Sequence, residues 1–140
     1  MFSQRVKQVM EHRQLLVASP TTCVSEAARQ MAGNEVGAVV VVESGAVVGI
    51  FTERDAVVRV LAAGRDAPAT RLAEVMTPSP RTVGPEQSFG HALQLMHAHG
   101  FRHMPVVEGG RLVGIVTARD ALDPDMEEFV CEVQRREGLR

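Results

Sequence analysis

Residues 36–56, VGAVVVVESGAVVGIFTERDA, return 65 positions later as residues 101–121, FRHMPVVEGGRLVGIVTARDA. Eleven of the 21 aligned positions are identical, far more than unrelated segments share. The match continues upstream, with Met31 against Met96, Ala27 against Ala92 and Pro20 against Pro85. A slip of one residue then sets Val9-Met10 on Val75-Met76. The period is too long for a solenoid unit and occurs only twice, so the chain is a duplicated half-domain.

Each copy predicts the same order of elements. Residues 15–18 and 81–83 are short β-like stretches that end near a proline turn. Residues 25–34 and 87–99 place Ala, Leu, Phe and Met at helical spacing (Ala27, Ala28, Met31; Phe89, Ala92, Leu93, Met96). Residues 38–43 and 103–108 are short, β-branched and bounded by turn residues. Ser44-Gly45 and Gly109-Gly110 join them as hairpins to residues 46–51 and 111–116. Thr52 and Thr117 open the closing helices, the first predicted over residues 52–63 with Gly64 just past its end. Each copy thus reads β-α-β-β-α. A half-domain of about 60 residues has little core of its own. The run Ala38, Val39, Val40, Val41, Val42 is apolar at successive positions, as in a strand covered on both faces. Packing the copies about a pseudo-twofold axis buries the second face and opens equivalent clefts between them, where small ligands usually bind.

Composition narrows the function. The 140 residues are 45% apolar and 23% charged, a globular balance. No apolar run reaches the roughly 18 residues of a membrane span, and MFSQRVKQVM carries no apolar core of a secretory signal. A net charge of −2 disfavours nucleic acid as a partner. Cys23 and Cys131 are too few for a disulfide framework and read as reduced thiols of a cytoplasmic protein. Arginine outnumbers lysine 14 to one (Lys7), for which genome base composition is a sufficient reason. There is no G-x-S-x-G, H-E-x-x-H, P-loop or G-x-G-x-x-G motif, so catalysis is not expected.

The motif that carries chemistry is G-[IV]-[FV]-T-x-R-D, at residues 49–55 and 114–120. T-x-x-D at a strand-to-helix junction is first of all a capping box, and a single copy needs no ligand. Repetition at symmetric places, with Arg and Gly retained beside it, shifts the balance. A helix N-terminus offers N–H groups to a phosphate. Thr52 and Thr117 can hydrogen-bond its oxygens, and Arg54 and Arg119 can pair with them. The carboxylates of Asp55 and Asp120 accept the two hydroxyls of a ribose. Phosphate and ribose together indicate a nucleotide.

These tandem copies, with GIFTERD, GIVTARD and HMPVVE, closely resemble a pair of CBS domains, a Bateman module, over roughly residues 6–122. The resemblance implies an α+β fold in which two β-α-β-β-α repeats pack pseudo-symmetrically. The expected layout is a lead-in helix at 1–12, repeat one at 13–64, a linker at 65–71, repeat two at 72–122 and a C-terminal helix at 123–140. It further implies a non-catalytic sensor whose clefts bind AMP, ADP, ATP, NAD or S-adenosylmethionine, and a disc-like homodimer. On that resemblance Asp55 and Asp120 match the ribose-binding aspartate, and Thr52 and Thr117 the phosphate-side hydroxyl. The base would lie against Val17, Ala18, Ala38 and Val39 in copy one, and against Thr82, Val83, His103, Met104 and Pro105 in copy two. Copy one departs from the pattern, because Gly37-Ala38-Val39-Val40 stands where copy two has Arg102-His103-Met104-Pro105. The cleft with Asp120, Arg102 and His103 is therefore the favoured one. With no enzyme, channel or DNA-binding segment in the sequence, the signal is expected to pass to a protein partner in trans.

Two other classes stay open at this point. One is a ligand-free dimeric scaffold in which both T-x-x-D motifs only cap helices. The other is a metal- or redox-responsive module using Cys131 or the histidines at 91, 97, 99 and 103. His97-x-His99 does not put both rings on one helix face, however, and no Cys or carboxylate stands nearby at a ligand spacing. Residues 123–140 carry an apolar stripe of Met126, Phe129, Val130 and Val133 suited to packing on the module or on a second subunit.

Overall fold

The structure, a computed structural model, describes residues 3–11 and 13–121. Its first half runs α1 (Val6–Met10), β1 (Val17–Ala18), α2 (Val24–Gly33), β2 (Ala38–Glu43), β3 (Ala46–Thr52) and α3 (Glu53–Asp55), which continues as a π-helix over Ala56–Leu61. A 3₁₀ turn at Ala67–Ala69 leads to α4 (Leu72–Val75) and β4 (Thr77–Pro78). The second half follows with α5 (Phe89–His99), β5 (His103–Glu108), β6 (Arg111–Thr117) and a 3₁₀ turn at Ala118–Ala121. The C-terminal helix expected at 123–140 lies outside the described residues.

The two hairpins share the same register, turn and bulge position. Glu43 pairs with Ala46, and Glu108 with Arg111, across two-residue turns. Both residues of each turn have positive φ (Ser44 53°, Gly45 82°; Gly109 59°, Gly110 79°), as a type I′ turn requires. Each hairpin also has a bulge at the same place, between Val41 and Val42 and between Val106 and Val107. The first strand of each copy pairs parallel to the hairpin, as β1 to β2. In copy two this strand is reduced to a single bridge, Val83 to Val106, where a strand over 81–83 is expected. An unexpected short strand, β4, adds to the edge of β3. Its proline is tolerable there because an edge strand has no further neighbour to donate to.

The continuous apolar run of β2 is buried on both faces, as its sequence predicts. Val39 and Val41 enter the core of repeat one with Phe51, Met31 and Leu72. Ala38 and Val40 point the other way and join Ile50 and Ile115 in a separate cluster between the repeats. Repeat two has its own core of Val83, Phe89, Met96, Met104 and Val116.

The short helices are exchanged between the copies. α1 precedes repeat one in the chain, yet Val6, Val9 and Met10 complete the core of repeat two. α4 precedes the hairpin of repeat two, yet Leu72, Val75 and Met76 complete the core of repeat one. The anchoring backbone bonds come in matched pairs. Val6 N donates to Gln87 O (2.8 Å) as Leu72 N does to Thr22 O (2.9 Å), and Phe89 N donates to Gln4 O (2.7 Å) as Val24 N does to Thr70 O (2.8 Å). This exchange needs the repeated glycine of each motif. A Cβ on Gly49 would overlap the thioether of Met76, and one on Gly114 would lie 2.6 Å from Met10 Sδ. The stretch 65–71 is accordingly more than a tether: Thr70 is buried and its hydroxyl donates to Asp66 O at 2.8 Å.

Candidate functional site

Copy one forms the capping box its sequence implies, whereas copy two forms only its carboxylate half. In copy one, Asp55 Oδ2 accepts from Thr52 N (3.0 Å) and from the Thr52 hydroxyl (3.2 Å), and Asp55 N donates back to Thr52 Oγ1 (3.3 Å). Asp55 Oδ1 lies 3.6 Å from Arg59 Nε, one helical turn on. Arg59 is itself held by the carbonyls of Val75 (3.2 Å) and Met76 (2.9 Å).

In copy two, Asp120 Oδ2 accepts from Thr117 N at 2.8 Å, and its other oxygen is bound by Arg13 Nε. The Thr117 hydroxyl is buried and has no partner, the one such side-chain N or O atom among the described residues. A buried polar atom left in this state costs stability unless something supplies its bond. Asp55 and Asp120 are both buried, at 7% and 6% exposure.

The N–H groups that a phosphate was expected to use are largely committed. Thr52 N and Thr117 N bind the aspartates, Glu53 N donates to Gly37 O (3.0 Å) and Ala118 N donates to Arg102 O (2.9 Å). The helix start alone therefore offers an anion few open backbone donors. The same two backbone bonds show which residues face each box. Gly37 and Glu53 stand beside Asp55, where Arg102 and Ala118 stand beside Asp120. Corresponding positions therefore carry Gly37 and Glu53 in copy one against Arg102 and Ala118 in copy two. Arg54, Arg119 and Arg102 are all exposed.

The residues proposed to line the base divide by face. Val39 points into the core of repeat one, and Val83 and Met104 into that of repeat two, so only their backbones face outward. Ala38 belongs to the cluster between repeats. Pro105 is buried, Ala18 is half-buried, and Val17 and Thr82 are exposed. His103 reaches across the pseudo-axis: its Nε2 and the Glu53 carboxylate both approach Gly37, at 3.3 and 3.4 Å from where a Cβ would stand. Burial pushes His103 below the usual histidine range; Glu53 opposes this, Arg102 adds to it, and Asp120 and Asp55 oppose it. The arginines that engage the aspartates, Arg13 and Arg59, are missed by sequence reasoning, because neither has a counterpart in the other copy.

The remaining candidates stand apart from this centre. His91, His97 and His99 are exposed, and His99 stacks on Phe101 with 6.1 Å between ring centroids. Among the described residues no three His, Cys, Asp or Glu converge as metal ligands. Cys23 caps α2, and a hydrogen bond with the Ser25 hydroxyl (3.3 Å) is the main reason its thiol lies below the ordinary range. Cys131 lies outside the described residues. None of the described helices is long and apolar enough to cross a membrane.

Known proteins agree with this architecture. The family model of the CBS domain matches twice, over residues 6–62 and 72–126. The CBS domain-containing protein YhcV of Bacillus subtilis is 40% identical over 107 residues, 76% of each chain. A CBS-domain structure from Burkholderia ambifaria superimposes with a TM-score of 0.81 at 32% identity, covering 89% of this chain and 95% of that one. The CBS domain protein PAE2072 from Pyrobaculum aerophilum, solved in complex with AMP, gives 0.76 at 27% identity over 84% of this chain and 89% of that one. With two matched repeats, exchanged helices and a shared interface cluster, the chain belongs to the CBS-domain family and is a CBS pair.

Proposed function

We propose that this protein is a non-catalytic regulatory module that binds an adenine nucleotide at the Asp120 cleft and signals to a protein partner in trans. The observation that carries this reading is the unmatched hydroxyl of Thr117, buried beside Asp120 in the copy that also presents Arg102. That cleft lacks one hydrogen-bond partner, which a phosphorylated ribose supplies. The AMP complex of the Pyrobaculum aerophilum protein supports the ligand class; AMP, ADP, ATP, NAD and S-adenosylmethionine are the members to test. At Asp55 the box is complete without a ligand, which favours a structural cap for that copy. A cytoplasmic location and a homodimer complete the proposal. Val57, Val58 and Leu61 on the helix after Thr52 are 55%, 53% and 72% exposed, an apolar face that a second copy can cover.

The test is the melting temperature against AMP, ADP, ATP, NAD, NADH and S-adenosylmethionine, for the wild type, Asp55→Ala and Asp120→Ala. A ligand at 100 times its Kd stabilises by about 2.7 kcal/mol, several degrees in a protein of this size. A shift that survives Asp55→Ala and vanishes in Asp120→Ala is expected. No shift with any of them, in protein stripped of nucleotide, would establish the ligand-free scaffold instead.

A further inference from the structure

Three departures from the repeat meet at one point. Copy one has Gly37, Ala38 and Glu53 where copy two has Arg102, His103 and Ala118. His103 of copy two comes to lie against Gly37 and Glu53 of copy one. Its Nε2 is 3.3 Å from the place where a Cβ on Gly37 would stand, and the Glu53 carboxyl carbon and Oε2 are 3.4 and 3.5 Å from the same place. The imidazole and the carboxylate thus flank the space that glycine leaves, one from the start of β5 and the other from the first turn of α3. We propose that His103 and Glu53 form a proton-operated contact between the two repeats. The uncharged imidazole packs against Gly37 at neutral pH. On protonation it draws the Glu53 carboxylate onto itself and fastens α3 of repeat one to β5 of repeat two.

Three observations support this. First, the contact can form only once. Its pseudo-symmetric counterpart sets Ala38 and Ala118 about Arg102, with no acid and imidazole to join. Second, the charged groups that face His103 are Glu53 and Asp55 from α3, Asp120 from the turn after β6, and Arg102 just before β5. Asp55 is already engaged by Thr52 and Arg59, and Asp120 by Thr117 N and Arg13. The Glu53 carboxylate makes no hydrogen bond or salt bridge among the described residues, so it is the acid left to answer a charge on His103. Third, Glu53 is exposed and His103 half-buried, so the acidic side chain can turn to the imidazole without disturbing a core. Burial holds His103 below the ordinary histidine range, and Glu53 is the strongest influence against that depression. Histidine changes charge near pH 6.5 when unperturbed, so the contact responds between neutral and mildly acidic conditions.

The backbone around the pair makes it a joint. Glu53 N donates to Gly37 O at 3.0 Å, and His103 stands opposite Thr117 in the ladder of β5 and β6. Fastening Glu53 to His103 therefore links the capping box of one copy to the strand end that carries the other. The buried residues that join the repeats form a small cluster, Ala38, Val40, Ile50 and Ile115, and the pair adds a second tie beside it. Acid holds the repeats in fewer arrangements, and neutral solution releases that tie. This regulation by pH stands whether or not a nucleotide binds.

Titration of the His103 imidazole by NMR, in the full chain of the wild type and of Glu53→Gln, tests the proposal. Glu53→Gln keeps the size of an exposed side chain and removes its charge. It is expected to lower the His103 midpoint by about half a pH unit, the effect of a partly exposed ion pair. In the wild type the Glu53 carboxyl signal should move in the same step as the imidazole. A double-mutant cycle of His103→Asn and Glu53→Gln, followed by urea denaturation, gives a second reading. The coupling should be absent in mildly alkaline buffer and present in acid. A His103 midpoint that Glu53→Gln leaves in place or raises overturns the proposal, as does a coupling of equal size in both buffers. A midpoint close to that of free histidine and indifferent to Glu53 would show that the imidazolium leaves for solvent instead, which also overturns it. The titration needs only the wild type and Glu53→Gln, so misfolding of His103→Asn leaves the test intact.

Discussion

Gly114→Ala probes the exchange of helices on which the module is built. The added methyl would stand 2.6 Å from Met10 Sδ and 3.1 Å from both Met10 Cβ and Cγ. The sulfur can rotate away, but Met10 Cβ is fixed to α1, so the whole helix has to shift. Overpacking of this kind costs about 1–3 kcal/mol. Replacing glycine at an ordinary strand conformation recovers about 0.4–1 kcal/mol from the unfolded chain. The net expectation is a loss of about 0.5–2 kcal/mol, read as a lower urea midpoint with an unchanged slope. In a Met10→Ala background the Sδ and Cγ contacts are gone and only the Cβ at 3.1 Å remains, so the same substitution should cost distinctly less. Gly49→Ala should cost less, because the atoms it meets are the distal Cγ, Sδ and Cε of Met76. An equal loss from Gly114→Ala in both backgrounds would refute the packing argument.

The two threonines should separate in stability. Thr52→Val breaks a satisfied box and should cost about 1 kcal/mol, whereas Thr117→Val removes a buried hydroxyl without a partner and should be neutral or stabilising, both measured by urea denaturation. Thr117→Val should nonetheless weaken AMP binding. The pH dependence should follow His103. Its folded pKa is depressed by burial, so the unfolded chain binds the proton more readily below the ordinary value of 6.5. The His103 contribution is therefore flat above that value, falls as pH drops toward the folded pKa, and levels off below it. His103→Asn should remove that component of a midpoint-against-pH curve, and an unchanged curve would show that burial of His103 is not its source.

Much of the fold is legible because duplication doubles every signal. Ser44-Gly45 and Gly109-Gly110 fix both hairpins, and the unbroken apolar run through Val41 announces a strand with two covered faces. What escapes is what depends on packing across the pseudo-axis. Nothing local says that α1 belongs to repeat two, since Val6, Val9 and Met10 would suit either core. The sequence shows only that the glycine of the motif is retained in both copies, and the structure gives the reason: Gly49 makes room for Met76 and Gly114 for Met10. The strand expected at 81–83 shrinks to Val83, and the helix predicted over 52–63 winds as a π-helix from Ala56. Arg13 carries no pattern at all, because its partner Asp120 is 107 positions away.

The central claim, nucleotide binding at one cleft of the pair, is tested most directly by calorimetric titration of AMP into nucleotide-free wild type, Asp55→Asn and Asp120→Asn. Binding of one AMP per chain in the wild type and Asp55→Asn, and its loss in Asp120→Asn, is the predicted result. Equal binding by all three proteins, or binding that Asp55→Asn alone removes, would contradict it.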